Sequence, residues 1–266
     1  MKKVFLSFMM FLLFCGVAVG QGKSVNKEVV SVSMFQLTTS FQMPALDTKD
    51  LYGFNSLIGG SFIYKTNQNW LWTINAGFPF GKNVKLDRIQ LFGEGITTTN
   101  GEIISGDGIF TQIATFQRGT HLQLEVGKLF PLMPNPNSGV FVQGGLGYFF
   151  NRIRIEDQFS ITPQLADDFK LAYDRMRGGP AAHAEVGYLF MSDSRVLNFS
   201  LSLEVTYART RNYREYDFRI FYDENGEPHP VGYLDPSKRF NDLYYGIRLS
   251  WIIPVYSRQP ADFYYY

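Results

Sequence analysis

Residues 197–208 alternate apolar and other side chains with a period of two, and this segment constrains the fold more than any other. Successive side chains of a β-strand point to opposite faces, so the pattern predicts a strand with one apolar face. That face comprises Leu197, Phe199, Leu201, Leu203, Val205 and Tyr207. The opposite face comprises Asn198, Ser200, Ser202, Glu204, Thr206 and Ala208. Either a second protein layer or lipid must cover the apolar face.

Two kinds of barrel are consistent with such strands. In a soluble, lipocalin-like barrel the apolar face points inward, whereas in an outer-membrane barrel it faces lipid. Aromatic residues make up 17% of the chain, with 25 Phe and 16 Tyr, yet the mean hydropathy is −0.11. Several aromatic residues fall at strand ends, as is typical of the membrane interface: Trp70, Trp72, Tyr207, Tyr245 and Trp251. We therefore predict an all-β fold, an antiparallel transmembrane up-and-down β-barrel.

The N-terminal residues predict a secretory signal peptide over residues 1–20. Lys2 and Lys3 precede an apolar stretch over residues 4–19, and residues 18–20 suit a signal peptidase. The alternative is a membrane anchor, for which the stretch is short. Cys15 is the single cysteine, and Phe14 before it does not fit a lipoprotein site. Cleavage would leave a barrel over residues 21–256, a tail over 257–266 and no cysteine for disulfides, thiolate catalysis or metal binding.

We predict about eight strands, the smallest number found in bacterial outer-membrane barrels. They span residues 28–41, 55–66, 70–80, 118–130, 140–153, 181–191, 197–208 and 240–256. The first strand has an imperfect pattern, and we expect a bulge near Ser33. Long connections over residues 81–117, 154–180 and 211–239 alternate with short ones. This asymmetry predicts short periplasmic turns and long extracellular loops, with both chain ends in the periplasm.

The polar strand faces place several ionisable side chains in the barrel interior. They are Lys65, His121, Glu125, His183, Glu185, Glu204 and Arg248. Side chains fill the interior of an eight-stranded barrel, and charges buried there must be paired. We therefore expect the three glutamates to pair with Lys65 and Arg248 in one network that closes the lumen. A polar pore and a catalytic cluster are the alternatives.

No motif indicates an enzyme, a cofactor or nucleic-acid binding. A lipid-modifying hydrolase needs a Ser and a His together where lipid can reach them. His121 and His183 fall on the interior face, however, and His229 falls in a loop. The glycines at positions 144, 145 and 147 lie within a strand, so we expect them to relieve crowding rather than bind phosphate. The net charge of +1 does not suggest a nucleic-acid partner. We predict no catalysis, no cofactor and no metal site.

The long loops carry more chemical variety than the strands. Two segments mix charged residues with aliphatic and aromatic ones, and their binding candidates are Arg154, Glu156, Asp157, Tyr173, Asp174 and Arg175. Loops on a rigid scaffold commonly carry binding function, and loops beyond about 12 to 15 residues are usually functional or disordered. The alternative is a solvated cap in which the loops pack on themselves.

Five short motifs stand out along the chain: residues 127–132 (GKLFPL), 135–139 (NPNSG), 153–157 (IRIED), 163–165 (PQL) and 173–175 (YDR). Together they resemble an uncharacterised family of small outer-membrane β-barrel proteins of Bacteroidota, over about residues 53–256. The resemblance implies an outer-membrane barrel and, as one option, an accessory subunit of a larger envelope machine. It implies no active-site residues. The tail at 257–266 departs from barrels that end at a terminal aromatic residue of the last strand.

These observations predict a non-enzymatic outer-membrane barrel that acts as a binding or scaffolding subunit of a larger envelope complex. Barrel assembly and type IX secretion are the systems that the resemblance suggests. The expected partners are outer-membrane lipid and proteins of such a complex, and not nucleic acid. The alternatives are a passive structural barrel or narrow channel, and an enzyme that modifies lipid A.

Overall fold

The computed structural model of the chain describes residues 29–157, 162–192 and 197–255. The strands in these ranges are β1 Val32–Leu46, β2 Asn55–Lys65, β3 Trp70–Gly81, β4 Ile113–Pro131, β5 Gly139–Asp157, β6 Arg177–Phe190, β7 Phe199–Asn212, β8 Tyr216–Tyr222, β9 Pro228–Tyr233 and β10 Arg239–Val255. The helical segments are the α-helix α1 at Arg88–Phe92 and 3-10 turns at Asp47–Asp50, Pro163–Leu165 and Asp167–Ala172. No helix among the described residues has the length and apolarity needed to cross a membrane.

Eight strands form a closed ring in the order β1-β10-β7-β6-β5-β4-β3-β2. All neighbours are antiparallel, and β1 closes the ring on β10 from the pair Ser33–Val255 to the pair Leu46–Asp242. Strands β8 and β9 form a separate hairpin between β7 and β10, outside the ring. The predicted eight-stranded up-and-down barrel is therefore confirmed. Closure gives every ring strand a paired neighbour on both sides, so the ring itself has no open edge strand.

The apolar face of each strand points outward. In β7, Leu201 and Leu203 are 53% and 60% exposed, whereas Ser202 and Glu204 between and beside them are buried. A soluble barrel would show the opposite arrangement, because exposing a continuous apolar band to water is unfavourable. The barrel is therefore of the transmembrane type, in which lipid covers the outer face.

Aromatic residues flank the aliphatic middle of this outer face at both ends. The end with the short connections, which we name the turn end, carries Tyr64, Trp70, Trp72, Phe130, Phe190, Phe199 and Trp251. The opposite loop end carries Phe41, Phe54, Phe78, Phe80, Tyr148, Phe150, Tyr207 and Tyr245. Two such girdles mark the two interfaces of a membrane.

Several predicted boundaries differ from the structure. β1 begins at Val32 and pairs without interruption on both sides, so the bulge expected near Ser33 is not present in this strand. β4 and β5 form longer strands than expected, because their pairing continues above the apolar band as far as the pair Ile113–Asp157. The segment 211–239 is not one loop, since it contains the hairpin of β8 and β9. The predicted signal peptide and tail lie outside the described residues.

The loops at the loop end pack into an ordered cap around a second apolar core. This core takes residues from three connections and from the end of β5: Leu51, Tyr52, Leu91, Phe92, Ile103, Ile153, Ile155, Leu165 and Tyr173. Asp87 caps α1 by accepting a hydrogen bond from Gln90 N at 2.6 Å. The hairpin docks beside α1, because Glu94 N and Gly95 N both donate to Ile220 O.

Gly93 makes this docking possible. It adopts a φ of 79°, a conformation that L residues with a side chain rarely adopt. A Cβ at this position would lie 2.8 Å from Ile220 N, so any larger residue would push the hairpin away from α1. The cap is therefore one packed unit and not a set of independent loops.

An Arg in place of Leu201 should destabilise the barrel by about 2–4 kcal/mol, because a charge near mid-membrane must leave water. The matched change Leu132→Arg, in the exposed turn between β4 and β5, should cost only about 0–1 kcal/mol. Reversible unfolding in urea after insertion into lipid bilayers measures both values. Equal costs for the two variants would contradict a lipid-facing position for Leu201.

Candidate functional site

The lumen is closed at the turn end by a layer of apolar side chains. Nine buried residues form it: Val32, Met34, Ile63, Leu71, Leu129, Phe141, Leu189, Met191 and Ile252. Eight of them come from the ends of β1 to β6 and β10, where the inward positions are aliphatic or aromatic rather than polar, and Met191 directly follows β6. An eight-stranded ring is narrow enough for such side chains to meet across its axis. This layer forms an apolar plug below the polar interior.

Above the plug lies a charged layer, which consists of Glu125, His183, Glu185, Glu204 and Arg248. Glu185 and Glu204 are direct cross-strand neighbours, an arrangement that repels unless a cation intervenes. Arg248 supplies that cation, with Nη2 2.6 Å from Glu204 Oε2 and Nη1 3.4 Å from Glu185 Oε2. Ser40 Oγ donates to Glu204 and Ser202 Oγ donates to Glu185. These hydrogen bonds replace part of the hydration that the two carboxylates lose on burial.

His183 on β6 and Glu125 on β4, across the ring from Arg248, complete the charged layer. The Nδ1 atom of His183 is 2.9 Å from Glu125 Oε1, and its Nε2 atom is 3.6 Å from Glu204 Oε2. Gln143 bridges two carboxylates, because its Nε2 donates to Glu125 at 2.9 Å and to Glu185 at 2.8 Å. A Cβ on Gly145 would lie 2.8 Å from Glu125 Cγ, so this glycine provides the room for the carboxylate.

Glu125, His183 and Glu185 are the described residues best placed to hold a metal ion. Their candidate ligand atoms lie within 4.8 Å of one another. Gln143 and Arg248, however, already hydrogen-bond the carboxylates that a metal would use. The guanidinium of Arg248 therefore already supplies positive charge to this cluster. The arrangement favours an ion pair that stabilises the barrel over a metal site.

Lys65 and His121 lie apart from the charged layer, although we expected both in the interior polar network. Lys65 is the last residue of β2, so the plug separates it from the glutamates. Its Nζ instead donates to Asn137 Oδ1 at 2.7 Å and to Val30 O at 3.0 Å. His121 lies one level toward the loop end, where its ring meets the edge of Phe149 at a centroid distance of 4.7 Å.

His121 belongs to an aromatic layer that closes the lumen toward the cap. Phe149 and Tyr244 pack with Ala181 and Ala208, and their ring centroids are 5.4 Å apart. The Tyr244 hydroxyl accepts hydrogen bonds from Gln117 Nε2 at 3.0 Å and from Asn151 Nδ2 at 2.7 Å. Apolar, charged and aromatic layers thus follow one another along the barrel axis.

The loop candidates divide into two groups. Arg154, Glu156 and Asp157 lie in the extension of β5 rather than in a loop. Arg154 pairs with Glu156 at 2.7 Å on the exposed side. Asp157 is buried, where it accepts hydrogen bonds from Thr111 Oγ1 and Thr162 N at 3.1 Å. These residues stabilise the cap and present little free chemistry.

The second group lies just before β6, beside the hairpin. Tyr173 packs in the apolar core of the cap, and Asp174 pairs with Arg214, whose Nη2 is 2.5 Å from Asp174 Oδ2. That hydrogen bond raises the pKa of Arg214. Arg175 pairs with Asp217 of β8, which residue spacing alone could not indicate because 42 positions separate the two.

Asp217 receives two guanidinium groups. Its Oδ2 is 2.5 Å from Arg175 Nη1 and 2.9 Å from Arg219 Nη2. Although burial opposes ionisation, the hydrogen bond from Arg219 and the charge of Arg175 lower the pKa of Asp217. Burial, reinforced by the neighbouring Arg219, lowers the pKa of Arg175 to about 10, so this group stays charged at neutral pH.

An aromatic patch covers the outside of the hairpin and the segment before Tyr173. It consists of Phe169, Tyr216, Phe218 and Tyr233. The ring centroid of Tyr216 lies 5.1 Å from that of Phe218 and 5.1 Å from that of Tyr233, so the three rings pack together. Phe169 is nevertheless 55% exposed and Tyr233 84% exposed. Sequence reasoning missed this patch, because it depends on the β8–β9 hairpin.

Comparison with known proteins gives matches among solved structures. The chain matches no protein-family model and no curated protein. One structural match is Ail, the attachment invasion locus protein of Yersinia pestis, in complex with the heparin analogue sucrose octasulfate; identity is 9%, TM-score 0.40, and coverage 84% of this chain and 99% of Ail.

Two further matches are small barrels as well. Neisserial surface protein A has 11% identity and a TM-score of 0.33, over 81% of this chain and 95% of its own. The outer membrane protein OprG of Pseudomonas aeruginosa has 14% identity and a TM-score of 0.35, over 86% and 98%. No residue role is transferred to this chain from these proteins.

Replacing Arg248 with Met should destabilise the barrel by about 3–5 kcal/mol, because Glu204 would remain buried without its cation. The double variant Arg248→Met with Glu204→Gln should be more stable than the single variant, since it leaves one buried carboxylate, Glu185, rather than two without the guanidinium. Unfolding in urea, monitored by tryptophan fluorescence in bilayers, gives both values. A double variant as unstable as the sum of its two single changes would show that the two groups do not interact.

Proposed function

We propose that this protein is an integral outer-membrane barrel without catalytic activity, which acts as a binding or scaffolding subunit through its loop end. The short connections then face the periplasm and the cap faces the cell exterior. The observation that carries the proposal is the exposed aromatic patch on a packed cap. Rigid aromatic side chains provide large contact areas at low entropic cost, and they are enriched at protein interfaces.

The filled lumen supports this assignment over a transport role. A permeating ion would have to pass the apolar plug, where the surrounding side chains offer no replacement for its hydration shell. The charged layer above it is internally paired and would have to open as well. A passive structural barrel would share this lumen, but it would gain nothing from an exposed aromatic patch.

The arrangement of the histidines supports a role without catalysis. His121 and His183 both lie within the lumen, away from the lipid-facing surface. His229 is exposed on the hairpin, with Nε2 3.4 Å from Asp223 Oδ2. A lipid-modifying hydrolase would need a histidine beside a nucleophile at the membrane surface. Membership of a barrel-assembly or type IX secretion complex remains the form of scaffolding that the sequence resemblance suggests.

Purified protein in planar lipid bilayers should give no steady ion conductance, because buried apolar side chains fill the lumen at the turn end. The measurement is current at fixed voltage, compared with bilayers that receive detergent alone. Stable, protein-dependent current steps would contradict a closed lumen and would place a narrow channel first.

Affinity purification from native membranes in mild detergent should recover a stoichiometric protein partner. Replacing both Phe169 and Tyr233 with Ser should remove this partner, because the two most exposed rings of the patch are lost. The control Leu132→Ser, at the opposite end of the barrel, should retain it. Mass spectrometry and size-exclusion chromatography measure the outcome. A strictly monomeric protein, or a partner that both variants retain, would contradict binding through the patch.

A further inference from the structure

Two cavities open at the loop end, and arginines line both. The first has a volume of about 150 Å³ and the second about 450 Å³. Arg175, Arg177 and Arg219 line both cavities, so one set of arginines borders two neighbouring spaces. We name this set, together with Asp217, the arginine pocket. It lies between the start of β6, the hairpin and α1.

Positive charge exceeds negative charge in the pocket. Asp217 is the carboxylate that lines the first cavity, and it is shared by Arg175 and Arg219. These two guanidinium groups also donate to the same backbone oxygen, Gln90 O, at 3.0 and 2.9 Å. That carbonyl supplies no formal charge, and Asp50 lines only the second cavity. Two adjacent cations thus share one anion in a partly desolvated site.

Arg177 adds a third cation, and part of its hydrogen-bonding capacity is unused. Its guanidinium carbon lies 3.6 Å from the ring centroid of Phe240, which fixes the side chain by a cation–π contact. The Nε and Nη1 atoms are buried and have no hydrogen-bond partner among the residues that the structure describes. Buried donors without acceptors are unfavourable and uncommon in folded proteins. The two nitrogens have almost no accessible surface, so an anion that pairs with them must displace the side chains that enclose them.

The cap holds these side chains in place before any ligand binds. Arg175 has a φ of 52°, in the left-handed region that side chains other than those of Gly, Asn and Asp seldom adopt. Met176 N donates to Asp174 Oδ1 at 3.0 Å, and Tyr213 N donates to Met176 O at 2.9 Å, so the turn is fixed on both sides. Unusual backbone conformations of this kind cluster at ligand sites.

We propose that the arginine pocket binds a phosphate or sulfate group of an anionic ligand. Guanidinium groups match the paired oxygens of such groups bidentately, and several convergent cations favour a dianion over a single carboxylate. Lys238 lines the first cavity as well and extends the positive surface outward. The inference deepens the proposed function, because it names the ligand chemistry of the same loop end. The group could belong to a lipid headgroup of the surrounding leaflet or to a soluble saccharide or phosphate.

The first test titrates detergent-purified protein with inorganic phosphate in a calorimeter at constant ionic strength. Saturable binding with one site per chain is expected, and chloride should not displace it. Arg177→Gln and Arg219→Gln should each weaken binding about tenfold or more, because each removes a charge-assisted hydrogen bond. Arg154→Gln is the matched control, since Arg154 is exposed, already paired with Glu156 and outside the pocket.

The control should bind phosphate as the unchanged protein does. Absence of saturable binding by the unchanged protein would overturn the inference, and so would an equal loss in the Arg154→Gln control. If Arg177→Gln and Arg219→Gln do not fold, Lys238→Gln provides the test. It is exposed, so the barrel should tolerate its replacement, and it should weaken binding several-fold by reducing the local charge. An unchanged affinity in that variant would count against the pocket.

A second arm distinguishes the two sources of the ligand. Protein in nanodiscs is prepared with lipid A that carries its phosphate groups or lacks them, and inorganic phosphate is then titrated. Competition by phosphorylated lipid A would assign the pocket to a lipid headgroup. Equal phosphate binding in both nanodiscs would assign it to a soluble ligand. The Phe169→Ser, Tyr233→Ser double variant should keep phosphate binding, so loss of the protein partner and loss of the anion are separable results.

Discussion

Closure of the backbone hydrogen-bond network is the constraint on which the rest of this structure depends. A strand that crosses hydrocarbon must pair on both edges, because no water can satisfy its amides. Eight strands achieve this in the smallest ring known for bacterial outer-membrane barrels. The pairing of β1 with β10 closes the ring, and without it both strands would expose unpaired amides to lipid.

The small ring determines what its interior can contain. Side chains from opposite walls meet, so the lumen fills with an apolar plug, a charged layer and an aromatic layer. The charged layer is stable only as a set, because Arg248 separates two carboxylates that face each other across neighbouring strands. A filled interior leaves the two ends and the lipid face as surfaces for function. Of these, the loop end carries both the aromatic patch and the arginine pocket.

The sequence pattern was sufficient to predict the eight-stranded ring. It was insufficient to predict the layers of the lumen and the contacts of the cap. Alternation over residues 199–208 of β7 identified the lipid-facing residues because each outward position there is apolar and most inward ones are polar. The plug was missed because both faces are apolar at the turn end, as at Leu71 and Trp72, where a period of two carries no information. Lys65 was placed with the glutamates because alternation assigns a residue to a strand face but not to a height along the barrel axis. Lys65 lies at the turn end, below the glutamates.

The cap was unpredictable for a different reason. Asp217 meets Arg175 across 42 positions of sequence, and the hairpin that carries Asp217 lies in a segment rich in proline and charge. Such contacts follow from tertiary packing around Gly93 and α1, which no local pattern encodes. Arg175 was among the candidates because of its varied surroundings in sequence, and Arg177 lies in the same segment. Arg219 carried no distinguishing local signal.

Labelling of single cysteines in intact cells tests the central claim, which is that the lumen is closed and the cap is the accessible surface. The reagent is a maleimide that does not cross membranes, applied to Phe169→Cys in the cap and Ser202→Cys in the charged layer. We expect rapid labelling at position 169 and protection at position 202 until the barrel is unfolded. Comparable labelling at position 202 in intact cells, or protection at position 169, would contradict it.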